Sequence, residues 1–300
     1  MSIDVVDKFV GVFRGRGDVY GSWSGGCVKE RLTRDVFARH LHNGPHIGVY
    51  PLVNDMVSWG CVDIDGKDFG HDWDRMFDLA GQLQAVLAVK QIHLIHERTR
   101  NGIHLWVFPD VPLIPAAHMR RALMAGCKVI GYDPKEVNPK QEASKQGVGN
   151  YVRLPYYGAL LHGTPPDRYF IADAEQLDLH EAIDYAEENR TSAAALEQVA
   201  AMWTPPARSK FTGLDVDESV IRHLVPLMNG YDYVIYRDGP MEDSDRSNTL
   251  YRLAARLRSS GFSADDTYLL IRAADQRWGK FHARKDGDQR LADIIERVYA

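Results

Sequence analysis

The sequence lacks any long apolar run. None of its 300 residues lies in an apolar stretch near the roughly 20 residues that a membrane-spanning helix needs. The segment Met1 to Phe9 does not combine a basic stretch with an apolar core, as a signal peptide would. We therefore expect a cytoplasmic protein with no membrane partner.

Cysteine is scarce. Cys27, Cys61 and Cys127 are widely spaced, and no Cys-x-x-Cys pair indicates a zinc site. An odd number of cysteines also does not suggest a disulfide framework. We expect three buried thiols.

The chain has no overall excess of positive charge. Its net charge is −5, but residues 1–169 carry +2, residues 170–245 carry −11 and residues 246–300 carry +4. Contact with a phosphate backbone depends on local basic surface, so this pattern does not exclude DNA binding. It argues against a protein that coats nucleic acid nonspecifically and tightly.

The hydrophobic pattern predicts an α+β core with a mostly antiparallel sheet. β-Branched and aromatic runs predict strands at Ile47–Leu52, Val57–Asp65, Gln91–Glu97, Ile103–Phe108 and Tyr151–Tyr157. Apolar residues at helical spacing predict helices at Trp73–Lys90 and Pro115–Cys127.

After a proline-containing linker at Trp203 to Pro206, the pattern becomes helical. It predicts helices at Glu218–Met228, Arg246–Ser260, Ser263–Trp278 and Asp288–Val298, which together would make a small all-α bundle. We expect a first domain at 1–205 and a bundle domain at 206–300.

The first chemical feature is an acidic pair, Asp63 and Asp65, in the segment Cys-Val-Asp-Ile-Asp-Gly. Side chains two residues apart on a strand share a face, and a divalent cation relieves the repulsion between two such carboxylates. The same residues equally fit a turn that Asp65-Gly66 begins and Asp63 caps. The motif alone does not decide between these interpretations.

The second feature is a basic turn that contains Arg98 and Arg100 and precedes His104. Arginine matches phosphate oxygens, so this turn could hold a polyphosphate with His104 touching it. The alternative is an ordinary hairpin with a partly buried histidine. His93 and His96 are three residues apart, which is not the His-x-His pair of a metal-dependent nicking enzyme, and we interpret both as structural.

Five segments in order resemble the archaeo-eukaryotic primase superfamily, and most closely the primase-polymerases of phages, plasmids and conflict systems. They span roughly residues 8 to 175: Phe13 to Tyr20, Ile47 to Leu52, the Asp63/Asp65 pair, Asn101 to Trp106, and Gly149 to Pro155. The resemblance implies an RRM-like primase-polymerase core followed by the helical bundle. It further implies that Asp63 and Asp65 bind metal and that His104 binds the incoming nucleotide.

The resemblance also implies a third metal-binding carboxylate, for which Glu136 and Asp133 are the candidates. We choose Glu136 because Glu-Val-x-Pro-Lys-Gln looks like the third motif of the family, whereas Asp133 before Pro134 has the position of a turn residue. Many members have serine where this chain has Gly102, so we expect a backbone group to replace the side-chain contact to phosphate there. Arg153 either faces the nucleotide or template, or is a surface arginine.

These features together predict an enzyme: a DNA primase and DNA polymerase that makes and extends primers on single-stranded DNA. It would use dNTPs or NTPs and two Mg²⁺ or Mn²⁺ ions held by Asp63, Asp65 and Glu136. The setting would be phage or plasmid replication in a bacterial cytoplasm, with a replicative helicase as a possible partner. The alternatives are a noncatalytic nucleic-acid-binding module and a metal-dependent nuclease.

Overall fold

The computed structural model describes residues 4–144, 148–165, 167–203, 218–240 and 245–299. By contacts, the chain divides into two compact units, Met1–Thr204 and Pro205–Ala300. Among the described residues, no helix is long and apolar enough to cross a membrane.

Within the described ranges, the strands all lie in the first unit. They are β1 (Tyr20–Ser22), β2 (Cys27–Val28), β3 (Ile47–Val49), β4 (Met56–Val57), β5 (Gly60–Asp65), β6 (Ile95–Arg98), β7 (Gly102–Val107), β8 (Ile114–Pro115), β9 (Glu136–Asn138), β10 (Val152–Arg153), β11 (Tyr169–Ala172) and β12 (Glu175–Gln176). Its helices are α1 (Val5–Phe13), α2 (Arg34–Leu41), α3 (Trp73–Ala88), α4 (Ala116–Val129), α5 (Ala159–His162), α6 (Leu179–Glu188) and α7 (Ala193–Ala201).

The strands form a central six-stranded sheet in the order β12-β11-β6-β7-β5-β9. A four-stranded sheet has the order β10-β3-β1-β2, and β4 pairs with β8. All pairings between these strands are antiparallel. The predicted α+β class with a mostly antiparallel sheet is therefore confirmed.

The central sheet separates two apolar cores. Because side chains alternate along a strand, Val62 and Ile64 of β5 join a core with α3 and α4, whereas Cys61 joins an aromatic core that includes Phe13 and Trp106. Asp63 and Asp65 have the parity of Cys61, so they project on the aromatic side of the sheet. The alternation of β5 thus sets which face carries the acidic pair.

Helix α3 forms where the apolar residues at helical spacing predict it, and the same residues make its buried face. Asp72 accepts a hydrogen bond from the backbone N–H of Arg75 at 3.2 Å and caps the helix. The buried residues Met76, Ala80, Leu83 and Leu87 form one face against the sheet. The helix ends at Ala88, two residues before the predicted Lys90.

Several predicted strands are too long. The strand predicted at Tyr151–Tyr157 is reduced to β10, because Pro155 has no N–H and Tyr156 adopts a φ of 63°. The strand predicted from Gln91 begins only at Ile95, and Gln91 has a φ of 59°. The thiol prediction is also partly wrong: Cys61 and Cys127 are buried, but Cys27 is exposed on the short edge strand β2.

The second unit is all helical in its described residues. It contains α8 (Glu218–Leu224), α9 (Gly230–Asp238), α10 (Arg246–Ser259), α11 (Ala264–Trp278) and α12 (Gly287–Tyr299) around one apolar core. Four of these helices lie where the sequence predicts them, and α9 was not predicted. Arg256 pairs with the buried Asp232, and Arg258 donates to the carbonyl oxygen of Val298, so both side chains bind within the bundle.

Candidate active site

Four ionisable side chains form a row across the central sheet. Glu97 of β6 is the register partner of His104 on β7, His104 is the partner of Asp63 on β5, and Asp63 is the partner of Glu136 on β9. Directly opposed residues of antiparallel strands lie on the same face. Sheet pairing therefore assembles residues that are far apart in sequence into one continuous polar row.

The acidic pair lies at the end of β5. Asp65 Oδ1 accepts a hydrogen bond from the Lys67 N–H at 3.1 Å and caps the short 3₁₀ turn Gly66–Phe69. Burial raises the pKa of Asp63; the charge of Asp65 also raises it, and His104 opposes the shift. Asp65 therefore caps the turn, a role that the turn interpretation gave to Asp63, and Asp63 lies beside it as a partly desolvated carboxylate. Metal binding by the pair stays a prediction.

A buried carboxylate holds His104. Glu97 Oε2 accepts from His104 Nδ1 at 2.8 Å and from Trp106 Nε1 at 2.7 Å, and Glu97 Oε1 accepts from the Arg168 guanidinium at 3.1 Å. Glu97 is fully buried, and the Arg168 side chain is 8% exposed. Because Nδ1 is committed to Glu97, Nε2 is the nitrogen that faces Asp63, 3.7 Å from its Oδ1.

The two arginines of the basic turn, Arg98 and Arg100, lie in different surroundings. The guanidinium of Arg98 lies 4.6 Å from the Trp73 ring centroid and donates to Tyr169 at 3.4 Å. Arg100 lines the same cleft as Asp63, Asp65 and His104. The structure thus places Arg98 away from His104, because Arg98 alternates with Glu97 along β6 and packs on α3, and a nucleotide contact by Arg98 is not supported by this position.

Gly102 has no space for a side chain. A Cβ there would clash with the carbonyl oxygen of Ile64, the residue before its register partner Asp65 on β5. A serine at this position would therefore meet the backbone of β5. The Gly102 N–H donates to Thr99 Oγ1 at 3.0 Å, and a backbone contact to phosphate at this position stays a prediction.

The two candidates for the third carboxylate lie in different places. Glu136 neighbours Asp63 across β9 and β5, and its Oε1 accepts from Asn150 Nδ2 at 3.1 Å and lies 3.8 Å from Lys140 Nζ. Asp133 precedes β9 and lines a separate cleft beside Trp203. The choice of Glu136 stays a prediction, and its position next to Asp63 favours it.

Arginine side chains lie beside the row of ionisable residues. Arg153 and Arg168 line both clefts that border Asp63: one of about 370 Å³ shared with Glu136 and Asn150, and one of about 280 Å³ shared with Asp65 and Arg100. The Arg153 guanidinium donates to the Trp23 carbonyl oxygen at 3.1 Å and lies 4.8 Å from the Trp23 ring centroid. Carboxylates and guanidinium groups thus face the same space, as binding of a metal and a polyphosphate together would require.

The donor set fits a hard divalent cation in kind, because Asp63, Asp65 and Glu136 offer carboxylate oxygens. Burial and mutual repulsion already disfavour the charged form of Asp63, and a cation would relieve both effects. Across the described ranges, however, no group of three or more histidine, cysteine, aspartate or glutamate residues is close enough to hold a metal ion. Glu136, engaged by Asn150 and Lys140, would have to reorient to join the pair.

Sequence reasoning missed Glu97 and Arg168. Glu97 could have been found from the hairpin register: if Arg98 opposes Ile103, then Glu97 opposes His104. No local pattern marks Arg168, which has a φ of 61° and reaches Glu97 from a loop 71 residues away in sequence. His96, on the other parity of β6 from Glu97, lies outside the row.

Residues 27–174 match the family model of the TOTE conflict system, Archaeo-Eukaryotic Primase domain. This segment, just under half of the chain, contains every member of the row. Over this segment the chain is similar to the archaeo-eukaryotic primase superfamily, and the match supports a primase-like nucleotidyltransferase domain in the first unit.

A search of solved structures finds the crystal structure of primase RepB', at 13% identity over 99% of this chain and 93% of that chain. Its TM-score is 0.31, and a similarity at this level carries no argument about function. A search of curated proteins gives no significant match.

Proposed function

We propose that the protein is a DNA primase and DNA polymerase that joins nucleotides on a single-stranded DNA template. Its substrates would be dNTPs or NTPs, and it would require Mg²⁺ or Mn²⁺. Phage or plasmid replication, with a helicase acting nearby, is the setting that we propose.

The observation that carries the proposal is the row Glu97, His104, Asp63 and Glu136 on neighbouring strands, inside a segment similar to the primase superfamily. Asp65 extends the carboxylate end of the row, and Arg100, Arg153 and Arg168 line the clefts beside it. Nucleotidyl transfer needs carboxylates for cations and positive groups for phosphates within one site, and this face of the sheet offers both.

Asp63, Asp65 and Glu136 would hold the divalent ions, which supply activation of the attacking hydroxyl and neutralisation of the triphosphate. His104, oriented by Glu97, would direct Nε2 toward a phosphate oxygen. Arg100 would contact the leaving phosphates, since it lines the cleft and has no ion pair among the described residues. These roles divide the row into a cation-binding end and a phosphate-binding end.

The test is nucleotide incorporation on single-stranded DNA, with and without a primer, in Mg²⁺ and in Mn²⁺. We expect the double variant Asp63→Asn/Asp65→Asn to lose synthesis while its folding is preserved. The matched control is Asp74→Asn/Asp78→Asn, which makes the same charge change at exposed positions of α3. Products formed without a primer would add primase activity to polymerase activity.

Two other outcomes would replace the proposal. A folded protein that binds DNA without metal and synthesises nothing would be a noncatalytic nucleic-acid-binding module. Release of nucleotides or nicking of DNA, lost in the Asp63/Asp65 variant and independent of triphosphates, would indicate a nuclease.

A further inference from the structure

A second cleft lies beside the acidic row, and its wall is aromatic. It has a volume of about 370 Å³, within the range of small-molecule sites, and is lined by Trp23, His46, Tyr157, Arg100, Asp167 and Arg168. Neither Asp63 nor Asp65 lines it, but Arg100 and Arg168 also line the cleft that contains the acidic pair. The two spaces are therefore neighbours that share their cations.

The aromatic wall is a stack of three rings. The Trp23 and His46 centroids are 4.5 Å apart at an interplanar angle of 21°, and the His46 and Tyr157 centroids are 4.9 Å apart at 10°. Trp23 is 43% exposed, which is unusual for the largest apolar side chain. One face of Trp23 packs on His46, and the Arg153 guanidinium lies 4.8 Å from the ring centroid, so a further flat ring would pack on this exposed tryptophan by displacing Arg153.

The stack is fixed and uncharged. His46 Nε2 donates a hydrogen bond to the carbonyl oxygen of Leu154 at 3.2 Å, and the Tyr157 hydroxyl donates to the Asn43 carbonyl oxygen at 3.4 Å. Burial, and next the nearby His40 and Arg168, lower the pKa of His46 to about 3, so its ring is neutral near pH 7. A preorganised neutral stack loses little conformational entropy when it binds a further ring.

Both arginines of the cleft retain unused donors. Arg100 makes no hydrogen bond or ion pair within the described part of the chain. Arg168 is buried at 7% exposure, and its Nε has no partner there. Aromatic rings beside donors of this kind match a flat heterocycle with a phosphate attached to it.

We propose that this cleft binds a nucleobase, with Trp23 as the stacking surface and Arg100 and Arg168 facing the adjoining phosphate. The base belongs either to a nucleoside triphosphate or to a DNA strand, and both share this chemistry. The proposal deepens the proposed function because it places a base-binding subsite next to the acidic row.

The experiment measures equilibrium binding without divalent cations, so it does not depend on synthesis. Four probes are compared: dATP, inorganic tripolyphosphate, a short labelled oligothymidine, and an abasic oligomer with the same number of phosphates. The proteins are the parent, Trp23→Ala, Trp23→Phe, and the control Phe77→Ala, which removes another exposed ring from the same unit.

We expect Trp23→Ala to weaken binding of the base-containing probe by about tenfold, because the variant removes the ring on which the base stacks. Binding of tripolyphosphate and the abasic oligomer should not change. Trp23→Phe should retain most of the affinity, and Phe77→Ala should match the parent. Weaker binding of dATP by Trp23→Ala would show that the cleft binds the base of a nucleoside triphosphate. Weaker binding of oligothymidine would show that it binds a base of a DNA strand.

Unchanged binding of all four probes by a folded Trp23→Ala protein would overturn the proposal. An equal loss for base-containing and base-free probes would overturn it as well, since it would indicate a charge or folding effect. Tyr157→Ala and Tyr157→Phe repeat the comparison at the other end of the stack. Failure of the proposed function would appear instead as absent synthesis with base-dependent binding intact.

Discussion

Replacement of Glu97 should cost much more stability than replacement of an exposed glutamate with the same kind of partner. Glu97 accepts from His104, Trp106 and Arg168 and is fully buried. Glu97→Gln keeps the size of the side chain but removes its charge, and it leaves the Arg168 guanidinium buried without a counterion. Breaking a buried ion pair in this way costs about 3–5 kcal/mol.

Glu142 provides the matched control. It accepts two hydrogen bonds from Arg121, at 3.0 and 2.7 Å, but the two side chains are 33% and 42% exposed. An ion pair at that exposure contributes about 0–1 kcal/mol, so Glu142→Gln should reduce stability by no more than that. The difference between the two variants isolates the effect of burial.

The assay is urea unfolding followed by tryptophan fluorescence, since Trp59 and Trp106 lie in the core next to Glu97. The double variant Glu97→Gln/Arg168→Gln should recover part of the loss, because no unpaired charge remains. Equal midpoints for Glu97→Gln and Glu142→Gln, or no recovery in the double variant, would refute the reasoning. Synthesis by Glu97→Gln should also fall, because His104 loses the group that orients it.

Two further predictions concern stability. Burial lowers the pKa of His40 to about 4 from 6.5, so the unfolded chain takes up the proton first and stability should fall as pH decreases from 6.5 to 4. His40→Gln should remove about 3 kcal/mol of that decline in denaturation measured across this window, and an unchanged pH dependence would contradict the assignment. Gly102→Ser should cost about 1–3 kcal/mol because the side chain meets the Ile64 carbonyl, whereas Gly81→Ala, in open space on α3, should raise the thermal midpoint slightly. A Gly102→Ser protein as stable as the parent would show that the hairpin can shift.

The sequence predicted the elements whose periodicity is long. Helix α3 has four buried residues on one face, so its type and buried face followed from spacing alone. Strand β7 is buried along all six residues and was predicted from its apolar run rather than from alternation. The short elements could not be predicted in the same way. Strands β1, β2 and β10 have two or three residues, and their pairing depends on partners far along the chain.

The structure separates Arg98 from His104 for a geometric reason. The basic turn brings Arg98 and Arg100 close in sequence, but Arg98 still belongs to β6 and takes the face opposite Glu97, whereas Arg100 lies in the turn. Composition cannot distinguish a residue inside a strand from one just beyond it. The strand boundary decided which arginine reaches the cleft.

By itself, the sequence indicated the two kinds of architecture and marked Asp63, Asp65 and His104 as candidates, because periodicity and motif order are local properties. Only the pairing of β5 with β7 placed His104 opposite Asp63. Only the tertiary structure decided that Glu97 holds His104, that Arg168 neutralises Glu97, and that Trp23, His46 and Tyr157 stack beside them. Those contacts join separate strands and loops. Their energies depend on burial, which exists only once the whole sheet has assembled.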